Sequence, residues 1–253
     1  MKKNIKYIVL IIAGFLVMGN AFSQISDTAN GVSGRPSMRS GGAAAPKPYK
    51  DVVTAKAITT DGFFKVHRID GRYLFEIPVR LLDRDILVTA RISAAAAKTS
   101  PGSNRNTLMA GDPINENMIS FSRGVKNKIF LTVKYFVSRA SDSTNGVAKA
   151  LKNSSTQPLS SSFDIKAYSN DSSAVLVDMT DFISADNDIL FFHKAARKGA
   201  GGITTIEPDR SYIEGVKTFP INIEIKTVKT YKAGTDEWLT YGLNSSMVLL
   251  PET

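Results

Sequence analysis

The chain has 253 residues, with 32 Lys and Arg against 23 Asp and Glu, a formal net charge of +9, two histidines and no cysteine. The absence of thiols excludes disulfides, thiolate zinc sites, iron–sulfur clusters and cysteine nucleophiles together. Basic residues are scattered among acids rather than set in clusters with aromatics, which argues against a nucleic-acid surface. The densest group, His193-Lys194 with Arg197-Lys198, reads as a solvated segment.

From the amino end, Lys2, Lys3 and Lys6 form a basic stretch ahead of an uncharged apolar run over 7–19, too short to span a bilayer comfortably. Ala21-Phe22-Ser23 places small residues at the −3 and −1 positions, so residues 1–23 are expected to be a signal peptide cleaved after Ser23. The competing reading is a retained signal anchor. No cysteine follows the run, which rules out a lipoprotein anchor, and the expected location is periplasmic or extracellular, off the membrane after cleavage. Cleavage removes three lysines and no acid, leaving +6 on about 230 residues, enough for one or two domains with an apolar core. Residues 24–48 are rich in Gly, Ser, Ala and Pro and read as a disordered leader. The rest divides into a first β-rich domain over 49–140, a polar linker over 141–160 and a second β-rich domain over 161–253.

Local signals agree best over 61–93. Asp70-Gly71 lies between two alternating apolar runs, the pattern of a two-residue type I′ hairpin turn. Counting outward places Ile69 opposite Arg72, Arg68 opposite Tyr73, His67 opposite Leu74, Val66 opposite Phe75 and Lys65 opposite Glu76. One face collects Phe64, Val66, Tyr73, Phe75 and Ile77, with Arg68 over the Tyr73 ring, and the other carries a Lys65–Glu76 ion pair. Pro78 ends the second strand, 79–84 reads as a turn or single helical turn, and Ile86, Val88, Ala90 and Ile92 alternate as a third strand.

Further along, 99–104 reads as a loop, Ile119 and Phe121 alternate, and Gly124–Lys126 turns the chain. Ile129, Leu131, Val133, Tyr135 and Val137 share a face of a long half-buried strand. The 141–157 stretch is a polar connection with a few helical residues over 147–151. Phe163, Ile165 and Ala167 alternate, 170–173 turns, and 174–178 returns. Thr180 or Asp181 is expected to cap a one-turn helix. Residues 188–198 are expected to form a short helix stopped by Gly199, with Gly199–Gly202 as a flexible loop. Phe219, Ile221, Ile223 and Ile225 show the cleanest alternation, with Asn222, Glu224 and Lys226 outward, and 238–250 reads as a final strand. About ten strands and few helices make the class mainly β, antiparallel meander or sandwich-like sheets with short helices. Met247-Val248-Leu249-Leu250 is apolar on both faces, which suggests an unfinished edge truncated at the C-terminal end; the alternative is a strand central in its sheet.

Chemistry is sparse. Neither His67 nor His193 has a ligand partner at the spacing of a hydrolytic zinc site, and His67 reads as a partly exposed strand residue. Asp178, Asp181, Asp186 and Asp188 are close enough to suggest calcium, yet lack the glycine and twelfth-position glutamate of an EF-hand loop, and turn or capping roles explain them as well. No serine sits in a G-x-S-x-G elbow, and Gly199–Gly202 lacks the Lys-Ser/Thr of a phosphate cradle. No catalytic, cofactor-binding or metal residue is assigned.

Four stretches taken together, YKDVVTAKAITTDGFFKVHRIDGRYLFEIPVRLLDRDILVTARIS, AGDPINENMISFSRGVKNKIFLTVKYF, SSFDIKAYSNDSSAVLVDMTDFI and PDRSYIEGVKTFPINIEIKTVKTY, resemble the N-terminal region of large secreted zinc-dependent metalloproteases of Gram-negative bacteria. In that family two domains of uncharacterised function precede a metzincin-like catalytic domain. The family's zinc-binding helix, H-E-x-x-H-x-x-G-x-x-H, has no counterpart in these 253 residues, so no catalytic position carries over. The resemblance implies a non-catalytic region supporting folding or positioning peptide or protein substrate for a downstream catalytic domain, which would hold the zinc. The alternatives are a self-sufficient secreted or cell-surface β-rich binding module and, less directly, a hydrolase using carboxylates without a readable spacing.

Overall fold

The computed structural model describes residues 45–97, 108–135, 156–234 and 237–252. The expected signal peptide, nearly all of the leader, and the helical residues expected over 147–151 lie outside them. β1 (Ile58–Thr60), β2 (Lys65–Ile69) and β3 (Arg72–Pro78) form an antiparallel meander. The β2–β3 register is the one counted from the turn, with Ile69 opposite Arg72, Val66 opposite Phe75 and Lys65 opposite Glu76. Asp70 and Gly71 have φ of 47° and 79°, the left-handed pair a type I′ turn demands. Phe64, Val66, Tyr73, Phe75 and Ile77 are all buried on one face.

The chain continues through β4 (Ile86–Ala94), β5 (Pro113–Arg123), β6 (Lys128–Val133), β7 (Leu159–Tyr168) and β8 (Ala174–Asp178). Then come β9 (Ile203–Ile206), β10 (Tyr212–Thr218), β11 (Asn222–Ala233) and β12 (Glu237–Leu249). They make one large, open antiparallel sheet in the order β1-β2-β3-β8-β7-β6-β5-β4-β12-β11-β10, with β9 also on β11. Among the described residues three short α-helices accompany it: α1 (Tyr49–Val52), α2 (Thr180–Ser184) and α3 (Ala196–Gly199).

β7 changes partner along its length. Phe163 and Asp164 pair with β6, whereas Ile165, Ala167 and Tyr168 pair with β8, with an irregularity in the ladder between Ile165 and Ala167. The sheet bends, and its inner faces meet: the Phe64 and Phe121 rings stand edge-to-face at 5.8 Å, and Phe121 lies 6.5 Å from Phe163. Residues on both sides of 141–160, among them Ile86, Phe121, Val177, Ile225 and Leu243, share this core. The far end of the sheet reaches the hairpin through two bonds: Phe63 N–H donates to the Phe219 carbonyl at 2.6 Å, and Thr218 Oγ1 donates to the Phe64 carbonyl at 2.9 Å. A Cβ on Gly62 would stand 2.4 Å from Thr218 Oγ1 and 2.7 Å from the Phe219 carbonyl oxygen, so only glycine admits this approach.

Several expectations are corrected. The alternation over 219–225 is not one strand, because Phe219-Pro220-Ile221 is the β10–β11 turn, with Phe219 and Ile221 exposed. Pro220 has no N–H to offer a ladder. Residues 188–195 are not helical: Asn187 Oδ1 accepts the Ile189 and Leu190 amides in an Asx turn, and only Ala196–Gly199 coils. Neither Thr180 nor Asp181 caps α2. Asp178 Oδ1 instead accepts the Thr180 amide at 3.0 Å, while Thr180 Oγ1 accepts the Tyr73 amide at 2.8 Å. β6 ends at Val133, and Tyr135 is exposed. The final strand β12 is no edge: β11 and β4 flank it, so its two apolar faces are covered by neighbours and carry no argument about an unfinished edge.

Gly71→Val is expected to lower stability by about 1–2 kcal/mol more than Arg72→Val, because a β-branched residue is strained at positive φ while Arg72 is an ordinary strand position. Equal urea midpoints for the two variants would contradict the turn. Gly62→Ala is expected to cost about 1–3 kcal/mol by forcing the Thr218–Phe219 backbone away. Hydrogen exchange would show faster exchange at the Phe63 amide than in the parent; unchanged protection would mean the seam tolerates a methyl group.

Candidate functional site

Two buried polar clusters and one groove hold the side chains with chemical potential. The first lies on the outer face of the β2–β3 hairpin, where Tyr49, Val52 and Val53 from α1 and its C-terminal flank cover Leu74, Ala167 and Leu176. His67 is therefore 2 % exposed, not the partly exposed residue read from the strand pattern. Its Nε2 lies 3.0 Å from Glu76 Oε2 and its Nδ1 2.8 Å from Thr59 Oγ1. The Tyr49 hydroxyl donates to Glu76 Oε2 at 2.7 Å. The His67 bond, with help from Tyr49 and Lys65, holds the Glu76 carboxyl below its usual range against the opposing effect of burial. Burial and the Glu76 carboxylate push the Tyr49 phenol up. The expected Lys65–Glu76 pair exists at 3.9 Å, at the rim of this cluster.

The second cluster is built on β11. Its inward positions run Ile223, Ile225, Thr227, Lys229, Tyr231 and Ala233, all buried, so a lysine occupies a core register. Lys229 Nζ donates to the carbonyls of Ile183 at 2.8 Å, Ser184, and Ala185 at 3.3 Å, where α2 ends, and sits 4.3 Å over the Phe191 ring. A cation there complements the free carbonyls of the last turn. Burial pushes its ammonium down to about 8, with Asp186 acting the other way. Asp186 accepts from Arg197 Nη2 at 2.7 Å and from the Tyr231 hydroxyl at 3.1 Å. Sequence reading missed Lys229; the signal was available, since position 229 continues the period-two run from Ile223 and is followed inward by Tyr231.

The groove, about 820 Å³, lies between β4, the start of β5 and the 193–196 turn, lined by Thr89, Arg91, Glu116, His193 and Ala195 among others. His193 is exposed there, its Nδ1 accepting the Ala195 amide at 3.3 Å. The four aspartates do not converge. Asp178 pairs with Arg72, Asp186 with Arg197, Asp188 is mostly exposed 3.9 Å from Arg197, and Asp181 is exposed. Among the described residues no group of three or more His, Asp or Glu is placed to hold a metal ion, and no helix is long and apolar enough to cross a membrane.

Lys229 gives a pH signature. Its folded value of about 8 is below the unfolded 10.5, so the unfolded chain binds more protons between them. This group's contribution therefore rises with pH across that window. Raising the pH from about 7.5 to about 10 is expected to stabilise the parent relative to Lys229→Met by about 2 kcal/mol. Urea midpoints at both pH values check it; a constant gap between the two proteins would contradict the buried ammonium.

Residues 111–253 match the family described as domain of unknown function DUF5117, and residues 46–95 match domain of unknown function DUF5118. No curated protein and no solved structure matches the chain. The DUF5117 match takes in β5 to β12, more than half of the chain, and the DUF5118 match takes in α1 and β1 to β4. The chain belongs to the DUF5117 family, with a DUF5118 region ahead of that domain.

Proposed function

We propose that the chain is the non-catalytic N-terminal region of an exported zinc-dependent metalloprotease, and that it supports the folding of a downstream catalytic domain or positions peptide or protein substrate for it. The observation that carries this reading is the tandem of two uncharacterised domains, 46–95 then 111–253, in the order the sequence resemblance implies. Their strands share one sheet and one core, which suits a rigid body on which a second domain is seated. The polar side chains at its centre, Lys229, Asp186 and Arg197, hold backbone and one another, as expected of a scaffold. The zinc would belong to the downstream domain and its location would be periplasmic or extracellular. A second reading, a self-sufficient binding module, is favoured by the groove of about 820 Å³ with Arg91, Glu116 and His193 on its walls.

Reading the gene beyond the codon for Thr253 separates the two. A continuous frame encoding H-E-x-x-H-x-x-G-x-x-H is expected; a stop codon there favours the binding module. The purified protein is expected to retain no stoichiometric zinc after dialysis and to leave casein intact. Tightly held zinc, or casein cleavage abolished by a chelator, would overturn the non-catalytic assignment.

A further inference from the structure

We propose that Thr59, His67 and Glu76 form a hydroxyl-activating relay in which Thr59 is the acyl acceptor for small carboxylic esters. The proposal goes beyond the metalloprotease reading, in which non-catalytic refers to zinc-dependent peptide hydrolysis, and does not rest on it. It rests first on the hydrogen positions that the cluster permits. Glu76 Oε2 accepts from the Tyr49 hydroxyl at 2.7 Å and faces His67 Nε2 at 3.0 Å, and Lys65 Nζ lies 3.9 Å from Oε1. A carboxylate in that setting is an acceptor only, so Nε2 must carry the proton. In the neutral imidazole the lone pair is then on Nδ1, which faces Thr59 Oγ1 at 2.8 Å. In that neutral form the threonine hydroxyl donates into the lone pair. A hydroxyl, an imidazole lone pair and a carboxylate on the opposite ring nitrogen are the components of nucleophile activation by a general base.

Exposure is the second observation. His67 and Glu76 are buried, at 2 % and 7 %, but Thr59 is exposed. Thr59 also lies on β1, at the edge of the sheet, whose only strand partner among the described residues is β2. An extended substrate can pair along such an edge and bring a carbonyl to the face that carries the hydroxyl. Thr59 is directly opposite His67, so both point to that face, and Lys65 is on the same face two residues before His67. The Lys65 side chain is half exposed, a diagonal neighbour of Thr59 on that face, with Nζ 3.9 Å from Glu76 Oε1 and 4.0 Å from Asp61 Oδ1.

In the acylation step Thr59 Oγ attacks the ester carbonyl carbon as its proton passes to His67 Nδ1, and Glu76 stabilises the imidazolium. Collapse of the tetrahedral species breaks the ester C–O bond, and the departing alcohol oxygen takes the proton back from Nδ1. Water then attacks the threonyl ester, giving its proton to Nδ1. Collapse returns that proton to Thr59 Oγ and releases the carboxylic acid. The sum is ester plus water to acid plus alcohol. Glu76 is a positioning residue here, acting through His67.

The test uses p-nitrophenyl acetate on the purified protein. The expected result is a burst of about one nitrophenolate per chain, with a hydroxylamine-labile acetyl group mapped to Thr59 by peptide mass. Thr59→Val, nearly isosteric, should lower the burst about tenfold or more; it leaves His67 Nδ1 without its partner and lowers the melting point, so the fold is checked by circular dichroism at the assay temperature. Thr59→Ser should retain the burst and turn over faster, because the methyl group no longer crowds the attacked carbonyl. Glu76→Gln should slow acylation without changing the burst amplitude. Should Glu76→Gln fail to fold, the Thr59 pair still decides. No burst in the parent, a burst that survives Thr59→Val, or acetyl groups on lysines alone would each overturn the proposal.

Discussion

The placement of the last strand constrains everything else. β12 pairs with β11 along the full length of β11 and with β4 on its other side, so a strand from the carboxyl end joins the two parts of the sheet. Its inward residues Leu239, Tyr241, Leu243, Ser245 and Met247 are all buried. Ser245 Oγ donates to the Leu190 carbonyl and Tyr241 OH to the Ala200 carbonyl at 3.0 Å, tying the irregular 187–202 segment to the sheet. Without β12, β4 and β11 would both become open edges with unpaired backbone groups. β4 and β12 are also separated by more than a hundred residues, so the closing contact carries a large loop-closure cost and the fold is expected to form slowly for its size.

The two buried polar clusters solve one problem in different ways. Each holds a segment without regular structure of its own against an apolar sheet. At the hairpin, α1 is four residues long and too short to persist alone, and the Tyr49–Glu76–His67 bonds fix it. At β11, an ammonium is taken out of water to satisfy carbonyls that α2 leaves open. Burial of that charge costs several kcal/mol in general, and neighbours must offset it. Asp186 offsets part of it, held in turn by Arg197 and Tyr231. Removing one member would leave another buried and unpaired, so each cluster is expected to behave as a unit rather than as separate bonds.

Much of the fold was legible because much of it is local. The Asp70-Gly71 turn sets its own register, and period-two runs identified β4 and β7 with their inward faces. What the sequence did not disclose is which distant segment covers which face. His67 reads as half exposed when only Leu74 is considered, and it is buried because Tyr49 crosses from eighteen residues upstream. The apolar tail of β12 is ambiguous between a free edge and a central strand until β4 is known to lie beside it. Phe219 and Ile221 keep the inward parity of Ile223 and yet are exposed, since a turn interrupts the ladder at Pro220. Lys229 was hidden for the opposite reason: its register was readable, but a lysine in a core position is rare.

The positions of β1 and β12 in the sheet also make the fold mechanically lopsided. α1 lies on an outer face, and among the described residues β1 has β2 as its only strand neighbour. Force applied there peels one short strand away, breaking its bonds in succession. Force applied beyond β12 draws a strand lengthwise between two partners, loading both ladders at once. Pulling on β1 would therefore meet little resistance and pulling on β12 the steeper barrier, where the rate of forced opening, not the equilibrium stability, decides survival.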